Sequence, residues 1–384
     1  MPAFRRLVTP LLLVVAVVAG CSATTTSATS PVTTSATACG ATHPATWMGC
    51  LTKADPAFPK KLLTATALPG AHDSGTFDLS QTLFDTQSGS DCTNYSSAFA
   101  AAPALVTRWS TTQTLDYTGQ LDAGVRYLDL RIAYTGNPAT GWRLVHTQFS
   151  QDPLATDLAS IAAWARAHPS EVVVADVQHL CYDNAPPAAA DAQLWSDFSA
   201  LAPLSFAGAV PTATISSITN SRRNVVVVLP SNSLDLPALA ATGVHATLVG
   251  TAGSDGFAAM PEAYAWASAV APATPAAYPA ANRALQVFPT HVDPPLGSLA
   301  GRGLFQAQLI YSLSGSNIVA DIQDFTHFSG LITGADPWER GLWQGSFTRN
   351  QIVANWGSQL NAVVTDGVQY GGFVPAVVAV DARA

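Results

Sequence analysis

Continuous apolar runs constrain the fold of this chain more than any other feature. Glu171–Val177 and Asn224–Leu229 place valine after valine, as parallel strands do when both faces of their sheet are covered. Further candidate strands are Thr66–Pro69, Tyr127–Ile132, Arg143–His146, Leu285–Phe288, Ile318–Ile322 and Ala376–Val380. Helical patterns lie between them. From Asp157 to Ala167 the residues Leu158, Ile161, Ala162 and Ala165 recur at helical spacing, and Pro169 supplies a stop. Eight strand-like runs separated by helices predict an α/β fold, a (β/α)8 barrel. In such a barrel the residues at the C-terminal strand ends face one pocket. The chain has no internal repeat and no second-domain boundary, and residues 236–282 read as helix and loop decoration.

Composition narrows the function. Of 384 residues, 48% are hydrophobic and 11% charged, which requires a well-buried body. The formal charge is −8, with no basic run anywhere. That argues against nucleic acid as a partner and against strong electrostatic attachment to anionic lipid. Arg5-Arg6, the apolar run Leu11–Val18 and then Ala19-Gly20-Cys21 form a secretory signal over residues 1–20, too short for a comfortable membrane span. Val18-Ala19-Gly20-Cys21 resembles a bacterial lipobox in which Cys21 becomes the lipidated first residue, the alternative being an ordinary signal cut nearby. Residues 21–45 read as a Ser/Thr-rich tether, and residues 46–384 as the barrel. The expectation is an exported, monomeric protein on the outer face of a bacterial membrane.

Four cysteines remain after Cys21, an even number that suggests two disulfides in an exported chain. Cys39 and Cys50 are close in sequence at the entry to the barrel. Cys92 follows the first strand and Cys181 the run Glu171–Val177, so both belong to loops on the pocket face. The expected pairs are Cys39–Cys50 and Cys92–Cys181.

Chemistry concentrates at three places. Leu68-Pro69-Gly70-Ala71-His72-Asp73-Ser74-Gly75-Thr76 sets an adjacent His and Asp on a glycine-flanked turn. Gly124-Val125-Arg126-Tyr127-Leu128-Asp129-Leu130-Arg131 and Leu144-Val145-His146 follow. Two histidines and an arginine at the ends of apolar runs suffice to break a phosphodiester without a metal. One His removes a proton, the other supplies one, and the guanidinium steadies the phosphate between them.

These blocks resemble the X domain of phosphatidylinositol-specific phospholipase C, in its small metal-independent bacterial form and in X-domain-only proteins. Trp47-Met48, Leu51, Pro69 to Thr76, Gly124 to Arg131 and His168-Pro169-Ser170-Glu171-Val172-Val173 carry the likeness. From about residue 185 onward it is one of architecture only. The resemblance implies an irregular TIM-type barrel and cleavage of an inositol phospholipid, at a membrane surface, to diacylglycerol and a cyclic inositol phosphate. In that scheme His72 is the base, Arg131 stabilises charge, and His146 with Asp73 is the acid. Arg126, Asp129, Gln178 and His179 are the expected supporting or substrate contacts; for His179 a loop-capping role is equally open.

A carboxylate after the last strand should fix the tautomer of His72. Asp381 fits that place if Ala376–Val380 is the eighth strand, with Asp324 as the rival. Placing Asp381 there leaves no closing helix after it, and a loosely closed seam. No cofactor or metal is expected, because Asp73 and the cation Arg131 stand where calcium-dependent relatives gather Asn and carboxylates. After the fifth and sixth strands, where inositol contacts belong, the expected strands put Leu229-Pro230-Ser231 and Pro289-Thr290-His291, which do not match.

Overall fold

The computed structural model describes residues 38–84, 102–181, 188–230, 236–249, 262–264, 304–309, 350, 353–354 and 356–381. Its strands are β1 (Leu68–Ala71), β2 (Leu79–Leu83), β3 (Tyr127–Tyr134), β4 (Trp142–His146), β5 (Gln148–Ser150) and β6 (Val173–Cys181). Then come β7 (Val225–Pro230), β8 (Ala246–Val249), β9 (Glu262–Tyr264), β10 (Gln306–Leu309) and β11 (Ala362–Thr365). The order β8-β7-β6-β3-β1-β11-β10-β9 is parallel throughout. The first of these strands in the chain, β1, thus pairs with the last, β11, as in a barrel. Among the described residues no ladder joins β8 to β9.

Valine runs at the barrel centre explain this ladder. Residues 172–175 of β6 and its approach, and 225–229 of β7, are at most 2% exposed, covered on the outside by helices. Burial on both faces removes the polar alternation that would otherwise show in the sequence.

The helices used here are α1 (Trp47–Ala54), α2 (Pro103–Ser110), α3 (Tyr117–Asp122), α4 (Leu154–Ala167), α5 (Ala188–Phe198), α6 (Ile215–Asn220), α7 (Leu236–Ala241) and α8 (Phe373–Asp381). The expected helix from Asp157 to Ala167 is present as α4, extended by one turn after Pro153. Asp116 caps α3 by accepting from Gly119 N, and a Thr214–Ser217 capping box starts α6.

Several expected elements differ. Arg143–His146 is not a barrel strand. As β4 it pairs antiparallel with the far end of β3, and with β5 and β2 it forms a flap above the barrel rim. Among the described residues, Asn224–Leu229 therefore falls in the fourth parallel strand rather than the fifth, and β8 and β9 lie inside the stretch expected to be decoration. Ala376–Val380 belongs to the helix α8, and the eighth strand is β11. A short run of valines reads equally as buried strand or buried helix, since period alone cannot separate them. The closing helix expected to be missing is α8 itself, packed on β1. Leu285–Phe288, Ile318–Ile322 and Asp324 lie outside the described residues.

Among the described residues, Cys39, ahead of residue 46, is already 2% exposed and part of the core. The Cys39–Cys50 disulfide is formed, with a Cα–Cα distance of 5.7 Å, and ties this segment to α1. Cys181 is disulfide-bonded; its expected partner Cys92 lies outside the described residues, as does Cys21. Among the described residues, no helix is long and apolar enough to cross a membrane.

Candidate active site

The C-terminal strand ends gather His72, Asp73, Asp129, Arg131, His146 and Asp366. His72 and Asp73 follow β1 directly. Asp73 adopts φ 44°, a left-handed turn that short Asp side chains tolerate better than most, and its N–H donates to Asp129 Oδ2 at 3.1 Å. The turn is thereby folded back over the second barrel strand.

Arg131 is aimed by a bulge. The β3–β6 register slips between Leu130 and Arg131, so that Gln178 is the extra residue and Arg131 lies opposite His179. The guanidinium Nε meets Asp73 Oδ1, and Nη2 lies 3.6 Å from Asp129 Oδ2 and 3.1 Å from His72 Nε2. His146 comes from the flap. Its Nε2 lies 3.3 Å from Asp73 Oδ2, and its Nδ1–H donates to Ser110 O at 2.7 Å. The two imidazole centroids are 6.4 Å apart, and Asp73 Oδ2 lies within 3.4 Å of both Nε2 atoms. Thr147, where a glycine would be at ease, takes φ 62° to turn β4 into β5.

His72 Nδ1–H donates to Asp366 Oδ1 at 2.7 Å. This corrects the expectation for the partner carboxylate. Asp381 lies at the opposite end of β1, where Oδ1 accepts from Lys61 Nζ at 2.9 Å and Ala67 N at 2.8 Å. Asp366 directly follows β11, the last strand among the described residues.

Electrostatics separate the groups. Burial pulls the His72 pKa down, but the Asp73 and Asp366 carboxylates outweigh it and raise it to about 9. Burial pushes Asp73 up, yet Arg131, His146, His72 and His179 together hold it at about 2. Burial raises Asp129, with Arg131 opposing. Nε2 of His72 therefore sits between opposite demands. Arg131 at 3.1 Å donates to the neutral ring, whereas Asp73 Oδ2 at 3.4 Å pairs with the protonated one.

His72, Asp73 and Asp129 bring ligand-type atoms within 4.8 Å of one another. The Arg131 guanidinium contacts both carboxylates, so a built-in cation already offsets part of their charge.

Of the expected supporting residues, Asp129 and His179 join the site. Gln178 Nε2 donates to Gln306 Oε1 across the barrel at 3.2 Å. Arg126 does not join. It precedes β3 and is fully buried at the N-terminal end, where Nε and Nη2 donate to Glu171 Oε2 at 3.0 and 2.7 Å. Five residues separate it from Arg131, enough to carry a strand from one barrel end to the other. Residues after the true fifth and sixth strands, and Pro289-Thr290-His291, lie outside the described residues. The mismatch expected at Leu229-Pro230 concerned the fourth barrel strand instead.

Sequence reasoning passed over Asp366 and the segment Ser110–Gln113. Only the position directly after a buried valine run, Ala362–Thr365, marked the first; nothing in composition or spacing marked the second.

No family model matches the chain. It is 39% identical over 112 residues to PI-PLC X domain-containing protein 1 of Mus musculus, across 28% of this chain and 32% of that protein. It is 35% identical over 138 residues to PI-PLC X domain-containing protein 3 of Homo sapiens, across 35% and 42%. The variant-surface-glycoprotein phospholipase C of Trypanosoma cruzi is 31% identical over 148 residues, across 36% and 37%. The chain thus spans less than half the length of these curated relatives. Among solved structures, phosphatidylinositol-specific phospholipase C from Listeria monocytogenes aligns with TM-score 0.45 and 13% identity, over 84% of this chain and 95% of that one. The Staphylococcus aureus phosphatidylinositol-specific phospholipase C aligns with TM-score 0.48 and 15% identity, over 88% and 97%. Over the matched segment, the chain is similar to PI-PLC X domain-containing proteins.

Proposed function

We propose that the protein is a phospholipase C-type phosphodiesterase acting on inositol phospholipids, exported and lipid-anchored through Cys21. The observation that carries this reading is the arrangement of His72, Arg131 and His146 around one buried carboxylate, Asp73, with Asp366 behind His72.

His72, oriented by Asp366, takes the proton from the inositol hydroxyl next to the phosphate, and that oxygen bonds to phosphorus. The bond from phosphorus to the diacylglycerol oxygen breaks as His146, paired with Asp73, gives that oxygen a proton. Arg131 offers its guanidinium to a non-bridging oxygen as charge builds there. A substrate hydroxyl already beside phosphorus needs no activated water, which is a proximity gain. The cyclic inositol phosphate leaves, and a proton passes from His72 back to His146 through solvent.

Purified protein assayed with chelator present, against a panel of phospholipids and glycosyl-phosphatidylinositols, tests the reading. Release of diacylglycerol from phosphatidylinositol but not from phosphatidylcholine is expected, because only the former carries the neighbouring hydroxyl. No turnover on any member would sink the enzymatic reading and leave a lipid- or glycan-binding protein.

A second prediction concerns Arg131→Lys. It keeps the charge but loses the planar fork that meets Asp73, Asp129 and His72 together. A loss on the order of 10²-fold in kcat is expected, the range of a lost transition-state donor. Near wild-type kcat in Arg131→Lys would make the arginine a structural cation only.

A further inference from the structure

The stretch Ser110–Gln113, running from the last residue of α2 toward α3, carries no ionisable side chain, and Ser110, Thr112 and Gln113 are at most 5% exposed. It nevertheless touches each of the three loops that bear the candidate catalytic groups. Ser110 O accepts from His146 Nδ1 at 2.7 Å. Thr112 Oγ1 reaches His72 O at 3.0 Å and Asp73 O at 3.2 Å, and shares a 2.7 Å contact with Thr76 Oγ1. Thr112 O accepts from Gly367 N at 2.9 Å, one residue beyond Asp366.

Gln113 has the most informative pattern. Its Nε2 donates to His72 O and to Thr365 O, both at 2.9 Å, and its Oε1 accepts from Val368 N at 3.4 Å. Those two carbonyls close the ends of β1 and β11, the parallel neighbours from which His72 and Asp366 project. A primary amide has two donors and one acceptor oxygen, and here each finds a partner. One side chain thus sets the spacing of two strand ends at the point where the inter-strand ladder runs out. Glu in its place would turn a carboxylate toward two carbonyls, and an aliphatic residue would take one donor from each, leaving His72 O to Thr112 Oγ1 and Thr365 O to His72 N.

We propose that Ser110–Gln113 is a positioning strap that holds His72, His146 and the Asp366 loop at one fixed spacing through their main chains, with Gln113 as its central residue. The catalytic part of this inference rests on the phosphodiesterase reading above; the geometric part does not. The strap touches no substrate atom and acts by keeping the acid and base in register, where displacements near 1 Å are costly.

The test compares wild type with Gln113→Met, Thr112→Val and Thr112→Ser in the full chain. Steady-state kinetics on the best substrate is one readout, and the NMR titration of the His72 ring is the other. Gln113→Met should lower kcat by about 10–100-fold with KM little changed. It should also move the His72 midpoint downward, because Asp366 no longer sits squarely on Nδ1. Thr112→Val should show the same pattern more weakly, and Thr112→Ser, which keeps the hydroxyl, should restore it. A folded Gln113→Met with unchanged kcat and unchanged His72 midpoint would overturn the strap. If Gln113→Met does not fold, the Thr112 pair decides by the same two readouts. If wild type cleaves no phosphodiester, the functional reading fails, and the His72 titration alone supports or overturns the strap.

Discussion

Glu171→Leu is expected to be the most destabilising single substitution proposed for this chain. The Glu171 and Arg126 side chains are both fully buried, and each is held by more than the other. Glu171 accepts from Met48 N at 3.1 Å and Gly49 N at 2.8 Å as well as from Arg126. Arg126 donates further to Leu121 O, Val125 O, Pro44 O and Ala45 O, and lies against the Trp47 and Trp164 rings. Removing the carboxylate leaves a fully buried guanidinium without its counter-charge, a loss of about 3–5 kcal/mol. That corresponds to a fall in Tm on the order of 10 °C for a chain of this size. Equilibrium urea unfolding measures it. The double variant Arg126→Met, Glu171→Leu should recover little, because Val125 O, Pro44 O, Ala45 O and the N–H groups of Met48 and Gly49 then lose these partners. A Glu171→Leu loss under about 1 kcal/mol would show that the pair is dispensable.

This plug explains why the sequence motifs were only partly legible as chemistry. Trp47-Met48, Arg126 and the Glu171 of His168-Pro169-Ser170-Glu171 are parts of the resemblance, and all of them meet at the N-terminal end of the barrel. Their matched spacing carries the closing of the barrel floor. The same block, Gly124 to Arg131, supplies Arg126 to the floor and Arg131 to the pocket. Sequence shows both as arginines near a strand, and only the strand boundary at Tyr127 tells them apart. His72, Asp73, Arg131 and His146 were legible because local motifs place them at strand ends. Asp366 was not, because its strand is short and the longer valine run of α8 competed for the same role. Placing β4 outside the barrel depended on antiparallel pairing with β3, which period and propensity do not reveal. The strap was illegible for a different reason: Ser, Thr and Gln act there through carbonyls and N–H groups that every residue has.

His72→Ala and His146→Ala should each reduce turnover by on the order of 10²–10⁴-fold, the contribution of a general base or acid, with the fold kept. A pH profile then separates their roles. A base works deprotonated, and the His72 pKa is raised to about 9 in the free protein by Asp73 and Asp366 against the effect of burial. The kcat/KM profile should therefore climb with pH well above 7 and level off near that value. Stability has the opposite sign. A His with a folded-state pKa above its unfolded value contributes stability below about pH 6.5 that is lost as the pH rises through its folded pKa. Activity and stability contributions from this one ring thus trade places across the same window. Asp366→Asn removes one of the two carboxylates that raise the pKa and the acceptor that holds Nδ1–H. The rising limb should move to lower pH while the plateau falls, since the ring is easier to deprotonate but no longer fixed in one tautomer. Asp381→Asn should leave the limb where it is, because that carboxylate serves Lys61 and the start of β1. Measured from pH 5 to pH 10, a limb that moves with Asp381→Asn and stays still with Asp366→Asn would reverse the assignment of the partner carboxylate.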